Sequence, residues 1–323
     1  MNVKFQSKGK DNSMKAAQIK KYGGPEVIEI NSIDDPVIKE GQVLVEIHAA
    51  GVNPVDWKIR EGYMDKMAPL NFPATLGGDF AGVITNAGVV SEFKVGDAVY
   101  GSVLILGAGS GAFAEFAAAK KETIAIKPKN TDYIEAAALP LVGVSAYQAL
   151  VEHMHLAKGQ KILVHGGAGG IGSVAIQLAK HLGAYVAATA GSSDIEFVKN
   201  LGADEVIDYQ KQKFENIVHD FDAVFDPVGG ETYTKSFEVL KKAGIIVSMV
   251  EQPNENLMQQ FEVTAISQFT KINTERLNQL TELVEKGMIK IHVDKVFPLN
   301  EAGEALSYLQ TGHPKGKVAI KVK

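Results

Sequence analysis

The stretch Lys161–Lys180, KILVHGGAGGIGSVAIQLAK, constrains the fold more than any other part of this chain. It opens on an apolar run, Ile162-Leu163-Val164, short enough to be a buried parallel strand. A glycine turn follows, in which Gly167, Gly169 and Gly172 fill the positions of G-x-G-x-x-G, with Ala168, Gly170 and Ile171 between them. Val174, Ala175, Leu178, Ala179 and Leu182 then recur at helical spacing. A glycine pattern alone is common in loops; one placed between a strand and a helix is the context that marks a dinucleotide-binding turn. The chemistry asks something different of each glycine. Gly167 is expected to permit the tight turn, Gly169 to let the backbone approach a pyrophosphate, and Gly172 to let helix pack on strand. The helix N-terminus then offers free N–H groups and a positive dipole end to that pyrophosphate.

At 323 residues the chain is long for one core, so two domains are expected. The net charge of −5 supplies no basic field, which argues against a nucleic-acid partner. The chain has no cysteine, which excludes disulfides, a thiol nucleophile and any thiolate zinc site. No apolar run approaches the length that crosses a membrane. Residues 1–13 are polar and lysine-bearing, without a signal-peptide core, and read as a disordered leader of a cytoplasmic protein.

From Met14 to about Asn130, β-forming segments sit between glycine and proline breaks, which predicts a β-rich, barrel-like domain over 14–130. The character changes at Thr131, a candidate helix cap. Beyond the glycine turn, strands are expected at Tyr185–Thr189, Glu205–Tyr209, Ala223–Asp226 and Ile245–Val250, and Glu262–Ile266 is available as a sixth. Helical segments separate them, so a doubly wound parallel sheet is expected over 131–270. Thr274–Lys286 is an amphipathic helix, and the β character of the tail lets 271–323 rejoin the first domain.

Several segments in this order resemble the zinc-independent medium-chain dehydrogenase/reductases of the quinone oxidoreductase group: MKAAQIKKYGGPEVIEI, GVNPVDWKIREG, LGGDFAGVI, AAALPLVGVSAYQAL, GADEVIDY and GHPKGKVAI, with the glycine stretch between them. The NPVDWKIREG form is similar to that of alkenal/enone reductases. The resemblance implies a GroES-like catalytic domain, a Rossmann domain, and NADPH-dependent reduction of a quinone or enone in the cleft between them, with the subunits paired as a homodimer through an edge at Phe261–Ile266. The zinc branch carries a cysteine where Asp56 stands and a histidine where Gly78 stands; its downstream glutamate is matched by Asp79. Too few donors remain for zinc, and no metal is expected.

Cofactor choice belongs at the end of the second strand, roughly 20 residues past the glycine motif. That position is Thr189, followed by Ser192 and Ser193, and no carboxylate stands there to repel a 2′-phosphate. The two serines either donate to that phosphate or are ordinary turn residues. Asp194 works against it. Tyr209 can cover the phosphate or the adenine side, or else pack as an ordinary aromatic residue. The resemblance implies further cofactor contacts at Asn53, Ser145 and Lys317. Each has a plainer reading, as a turn asparagine, a hydroxyl bonded to its own helix, and a solvated lysine. Lys58 is the expected donor to the oxygen that gains charge on reduction, or else a solvated loop lysine. An alternative for the whole chain is a non-catalytic NADPH-binding protein of the same fold.

Overall fold

The alternation of apolar and polar residues before Lys127 resolves into eight strands in the computed structural model, which describes residues 13–107 and 109–323. They are β1 (Ser13–Ile19), β2 (Ile28–Asp34), β3 (Gln42–Val52), β4 (Ala74–Thr75), β5 (Asp79–Asn86), β6 (Ala98–Ser102), β7 (Phe116–Lys120) and β8 (Ile124–Ile126). The expected leader lies outside the described residues except for Ser13, which already belongs to β1. In β3, Val43, Val45 and Ile47 are buried and alternate with half-exposed neighbours; from Ala49 on, every side chain is buried. That switch marks the point where the strand passes from a one-sided sheet into the middle of the molecule. A short helix, α1 (Pro54–Arg60), leaves the end of β3 with proline in its first turn, where no N–H is needed.

The second half builds the parallel sheet. Helices α2 (Tyr133–Ala137) and α3 (Pro140–Tyr147) lead into it. The cap of α2 is Asp132 and not Thr131: Asp132 accepts from the Glu135 N–H, and Glu135 accepts from that of Asp132, a reciprocal box closed to Thr131, which has Ile134 three residues on. Thr131 donates instead to the Pro128 carbonyl. Next come β9 (Lys161–Val164), α4 (Gly170–His181), β10 (Tyr185–Ala190), α5 (Ile195–Asn200), β11 (Glu205–Asp208), β12 (Phe221–Asp226), α6 (Glu231–Ser236), β13 (Leu240–Ser248), α7 (Glu255–Phe261) and β14 (Thr264–Ser267). All six strands pair in parallel, in the spatial order β11-β10-β9-β12-β13-β14. Counted along the chain this is 3-2-1-4-5-6, the dinucleotide-binding Rossmann order, with the reversal beside β9.

The chain ends with α8 (Thr274–Glu285), β15 (Val293–Pro298), α9 (Ala302–Thr311) and β16 (Lys317–Lys321). Strand β16 inserts between β15 and β3, so the tail completes a seven-stranded sheet begun by β3, while β1, β2 and β4 form a separate three-stranded sheet. Helix α8 buries Leu277, Leu280 and Val284, each worth roughly 2 kcal/mol when removed from water. The Tyr100 hydroxyl of β6 donates to the Leu277 carbonyl at 2.6 Å, which fixes that helix against the first sheet.

Candidate active site

The strand β9 ends in a buried histidine. His165 places Nδ1 at 3.2 Å from the Thr189 hydroxyl and Nε2 at 2.9 Å from the Ser236 hydroxyl, and burial holds its pKa down at about 3. It is a neutral pin between β9, β10 and α6. The turn after it needs φ = 61° at Gly166, so the left-handed position falls there and not on Gly167. Gly167 is packed: a Cβ on it would meet side chains of Ala188, Ile176 and Val198 at 3.1–3.3 Å. A Cβ on Gly172 would lie 2.2 Å from the Gly166 carbonyl oxygen, so the close approach of helix to turn requires glycine, as the motif predicts. At Gly169 the nearest atom to such a Cβ is 3.4 Å away, and that face is open. Ala168, Gly169, Gly170, Ile171 and Gly172 border a cavity of about 350 Å³, with the first turn of α4 pointing into it. The bare backbone and the helix N-terminus fit a pyrophosphate.

Thr189 does not face this cavity. Its hydroxyl accepts from the Gly166 N–H at 3.2 Å and its carbonyl accepts from the Gly167 N–H at 2.8 Å, so it braces the turn from behind. The wall at the end of β10 is formed by Ala190, Gly191, Asp194 and Tyr209. Ser192 and Ser193 stand exposed on the outer rim, donating to Asp208 at 2.5 Å and Asp194 at 3.0 Å. Asp208, at the end of β11, escaped the sequence reading because only the sheet order brings it to this turn.

The far end of the cavity holds a buried charge cluster. Lys317, 4% exposed, donates to the Val52 carbonyl at 2.8 Å and to the Asn53 side-chain oxygen. It is therefore no solvated tail lysine; β16 carries it into the interior. The Asn53 amide donates to Asp79 at 2.9 Å, and its backbone N–H donates to Asp56 at 2.8 Å. Asp79 also accepts from the Leu141 N–H in the first turn of α3. Burial pushes Asp56 up to about 7 and Asp79 up to about 6, and pulls Lys317 down against the attraction of both carboxylates. These residues do not fit a zinc ion. Asp79 takes two N–H donors on Oδ2, and Gly78 offers no ligand, a Cβ there meeting Leu104 at 2.9 Å, so the three protein ligands of a catalytic zinc are not assembled. The internal ammonium of Lys317 is the cation beside these carboxylates.

Asn53 and Leu141 also border a second cavity of about 450 Å³, walled by Val55, Met67, Leu104, Leu106 and Phe269 and dotted with the hydroxyls of Ser102, Thr123 and Thr270. Ser145 lies behind Thr270. Its hydroxyl lies 2.7 Å from both the Leu141 carbonyl oxygen four residues back and the Thr270 oxygen; turned toward Thr270, its single proton leaves the Thr270 hydroxyl free to donate into the cavity. Thr270 was missed in the sequence, lying in a stretch with no motif. Lys58 lines neither cavity; its ammonium is 5.7 Å from the centre of the Trp57 ring on α1.

Comparison with known proteins agrees with this architecture. The alcohol dehydrogenase GroES-like domain matches residues 39–129, and the zinc-binding dehydrogenase family matches 201–320. A 2-methylene-furan-3-one reductase of Solanum lycopersicum is 40% identical over 96% of this chain and 79% of its own length. A chloroplastic NADPH-dependent alkenal/one oxidoreductase of Arabidopsis thaliana is 39% identical over 95% and 79%. The solved quinone oxidoreductase of Coxiella burnetii superposes with a TM-score of 0.89 at 35% identity, covering 96% of this chain and all of that one. Matched nearly end to end in sequence and in fold, the chain belongs to the medium-chain dehydrogenase/reductases, in the group of quinone and alkenal/enone oxidoreductases.

Proposed function

We propose that this chain is an NADPH-dependent oxidoreductase that reduces quinones or α,β-unsaturated carbonyls by direct hydride transfer, without zinc. The observation that carries the reading is the junction of the two cavities at Asn53 and Leu141. A dinucleotide laid along the glycine turn ends where the apolar cavity begins, as hydride transfer requires. NADPH supplies the hydride. The chain's part is to orient both reactants, give the acceptor an apolar wall at Val55, Leu104 and Leu106, and receive the charge that develops on the acceptor oxygen. A zinc enzyme meets that charge with the metal. Here hydrogen-bond donors take the task, and Thr270 and Ser102 are the hydroxyls positioned in the cavity wall for it. Asn53, held on both sides by Lys317 and Asp79, orients the nicotinamide ribose. Solvent protonates the reduced product.

Oxidation of NADPH dependent on a small quinone or a short enone is the test. Cofactor binding without turnover on any such acceptor would leave the non-catalytic alternative. Stoichiometric zinc in protein purified without chelator would overturn the metal-free mechanism. We take the compartment to be the cytoplasm, and cell fractionation that recovers the protein in an organelle would overturn this. No helix among the described residues is long and apolar enough to cross a membrane. We also propose a homodimer joined through β14, which ends the parallel sheet with only β13 beside it. A stable monomer in sedimentation at micromolar concentration would refute that pairing.

A further inference from the structure

The turn after β10 carries Asp194 at a point where a 2′-phosphate would call for a cation, and a cation reaches it from the other end of the chain. Lys315, in the loop between α9 and β16, extends its ammonium over the turn. The Nζ donates to the Ser193 carbonyl at 3.1 Å and stands 3.4 Å from the Asp194 carboxylate. The side chain is 39% exposed, so the ammonium is held yet open to a ligand from solvent. Its loop is fixed to the nucleotide turn: the Gly316 N–H donates to the Ala168 carbonyl at 2.8 Å, and Gly316 bridges to Gly169. His313 and Pro314 border the same cavity as Gly191, Asp194 and Tyr209.

We propose that Lys315 is the residue that recognises the 2′-phosphate of the cofactor, and that Asp194 is its resting partner. This rests on the reading of the cofactor as NADPH. The adenosine ribose lies at the end of the second strand of such a sheet, which here is the Gly191 turn. A phosphate there competes with Asp194 for the ammonium and gains the rim hydroxyl of Ser193. The exchange of one anionic partner for another makes the preference moderate. NADH offers no anion at the 2′ position, leaves the ion pair intact and gains nothing from it.

The test measures dissociation constants of NADPH and NADH by quenching of the single tryptophan, Trp57, in the wild type, Lys315→Met and Asp194→Asn. Loss of a charge-assisted contact should weaken NADPH by about 10-fold in Lys315→Met and leave NADH unchanged. Asp194→Asn should tighten NADPH alone. The preference of the wild type for 2′-AMP over 5′-AMP as a competitor should vanish in Lys315→Met. If the wild type binds NADPH and NADH equally, the NADPH reading itself fails. If the wild type prefers NADPH and Lys315→Met weakens both cofactors alike, or neither, Lys315 is only a tie between the tail and the turn.

Discussion

Replacing Lys317 with methionine keeps the volume and apolar stem of the side chain and removes the single ammonium beside two buried carboxyls. Two losses follow, and pH separates them. The Val52 carbonyl and the Asn53 side-chain oxygen lose their donor, and a buried acceptor left unpaired costs about 1–3 kcal/mol at any pH. The electrostatic loss depends on pH. The attraction of Lys317 acts downward on Asp79 and Asp56, so both rise further in the variant. A carboxyl whose folded pKa lies above its unfolded value stabilises fully below the unfolded pKa. That contribution is lost as pH rises through the folded one. Each unit of further rise therefore adds about 1.4 kcal/mol of destabilisation above the new pKa and nothing near pH 4. Urea unfolding of wild type and variant at pH 4.5 and 7.5 should show a deficit of about 2 kcal/mol at the lower pH, growing toward 3–5 kcal/mol at the higher, the range for breaking a buried charged pair. A deficit that is equal at both values would refute the claim that Lys317 neutralises these carboxylates.

Three further outcomes are expected. Gly191 has φ = −72° and ψ = 159°, open to any residue, and a Cβ there meets nothing closer than 3.6 Å; Gly191→Asp should shift cofactor preference toward NADH, measured as the ratio of the two dissociation constants. Thr270→Val should lower kcat and kcat/KM alike by about 10²-fold with NADPH binding unchanged, whereas Lys58→Met should retain activity; the reverse result in steady-state kinetics would return the donor role to Lys58. His165, held neutral by burial with a pKa of about 3, contributes stability present above the ordinary histidine range and lost as pH falls toward 3. At pH 5 the loss should be about 2 kcal/mol, and His165→Gln, read by urea titration across pH 5 to 7, should abolish that slope.

The glycine turn and the alternating elements of 161–270 were legible because their signals are local: a run of apolar residues, a spacing, a period. Even there the sequence misjudged which glycine turns. G-x-G-x-x-G does not include Gly166, and the left-handed position depends on how Thr189 catches the chain from the next strand. Thr189 itself sits at the right distance in sequence for a ribose contact, but its side chain alternates to the inner face of β10. For Lys317, resemblance alone points to the cleft, against the plainer reading of a solvated tail lysine; its burial depends on β16 lying between β15 and β3, which no local pattern encodes. Thr270 and Lys315 reach the site through tertiary contacts to Ser145 and Asp194, more than a hundred positions away in sequence.

The insertion of β16 beside β3 also has a consequence for how the protein is made. Lys317 closes on Val52 across 265 positions, and Ala319 pairs with Gly51. During synthesis strands β3, β5, β6, β7 and β8 emerge early, but β3 lacks its partner β16 until Lys317–Lys321 have left the ribosome. The parallel sheet, contiguous from β9 to β14, has all its strands long before that. The nucleotide-binding half is thus able to fold while β3 still exposes an open edge, and that edge is the part of the nascent chain most in need of shielding.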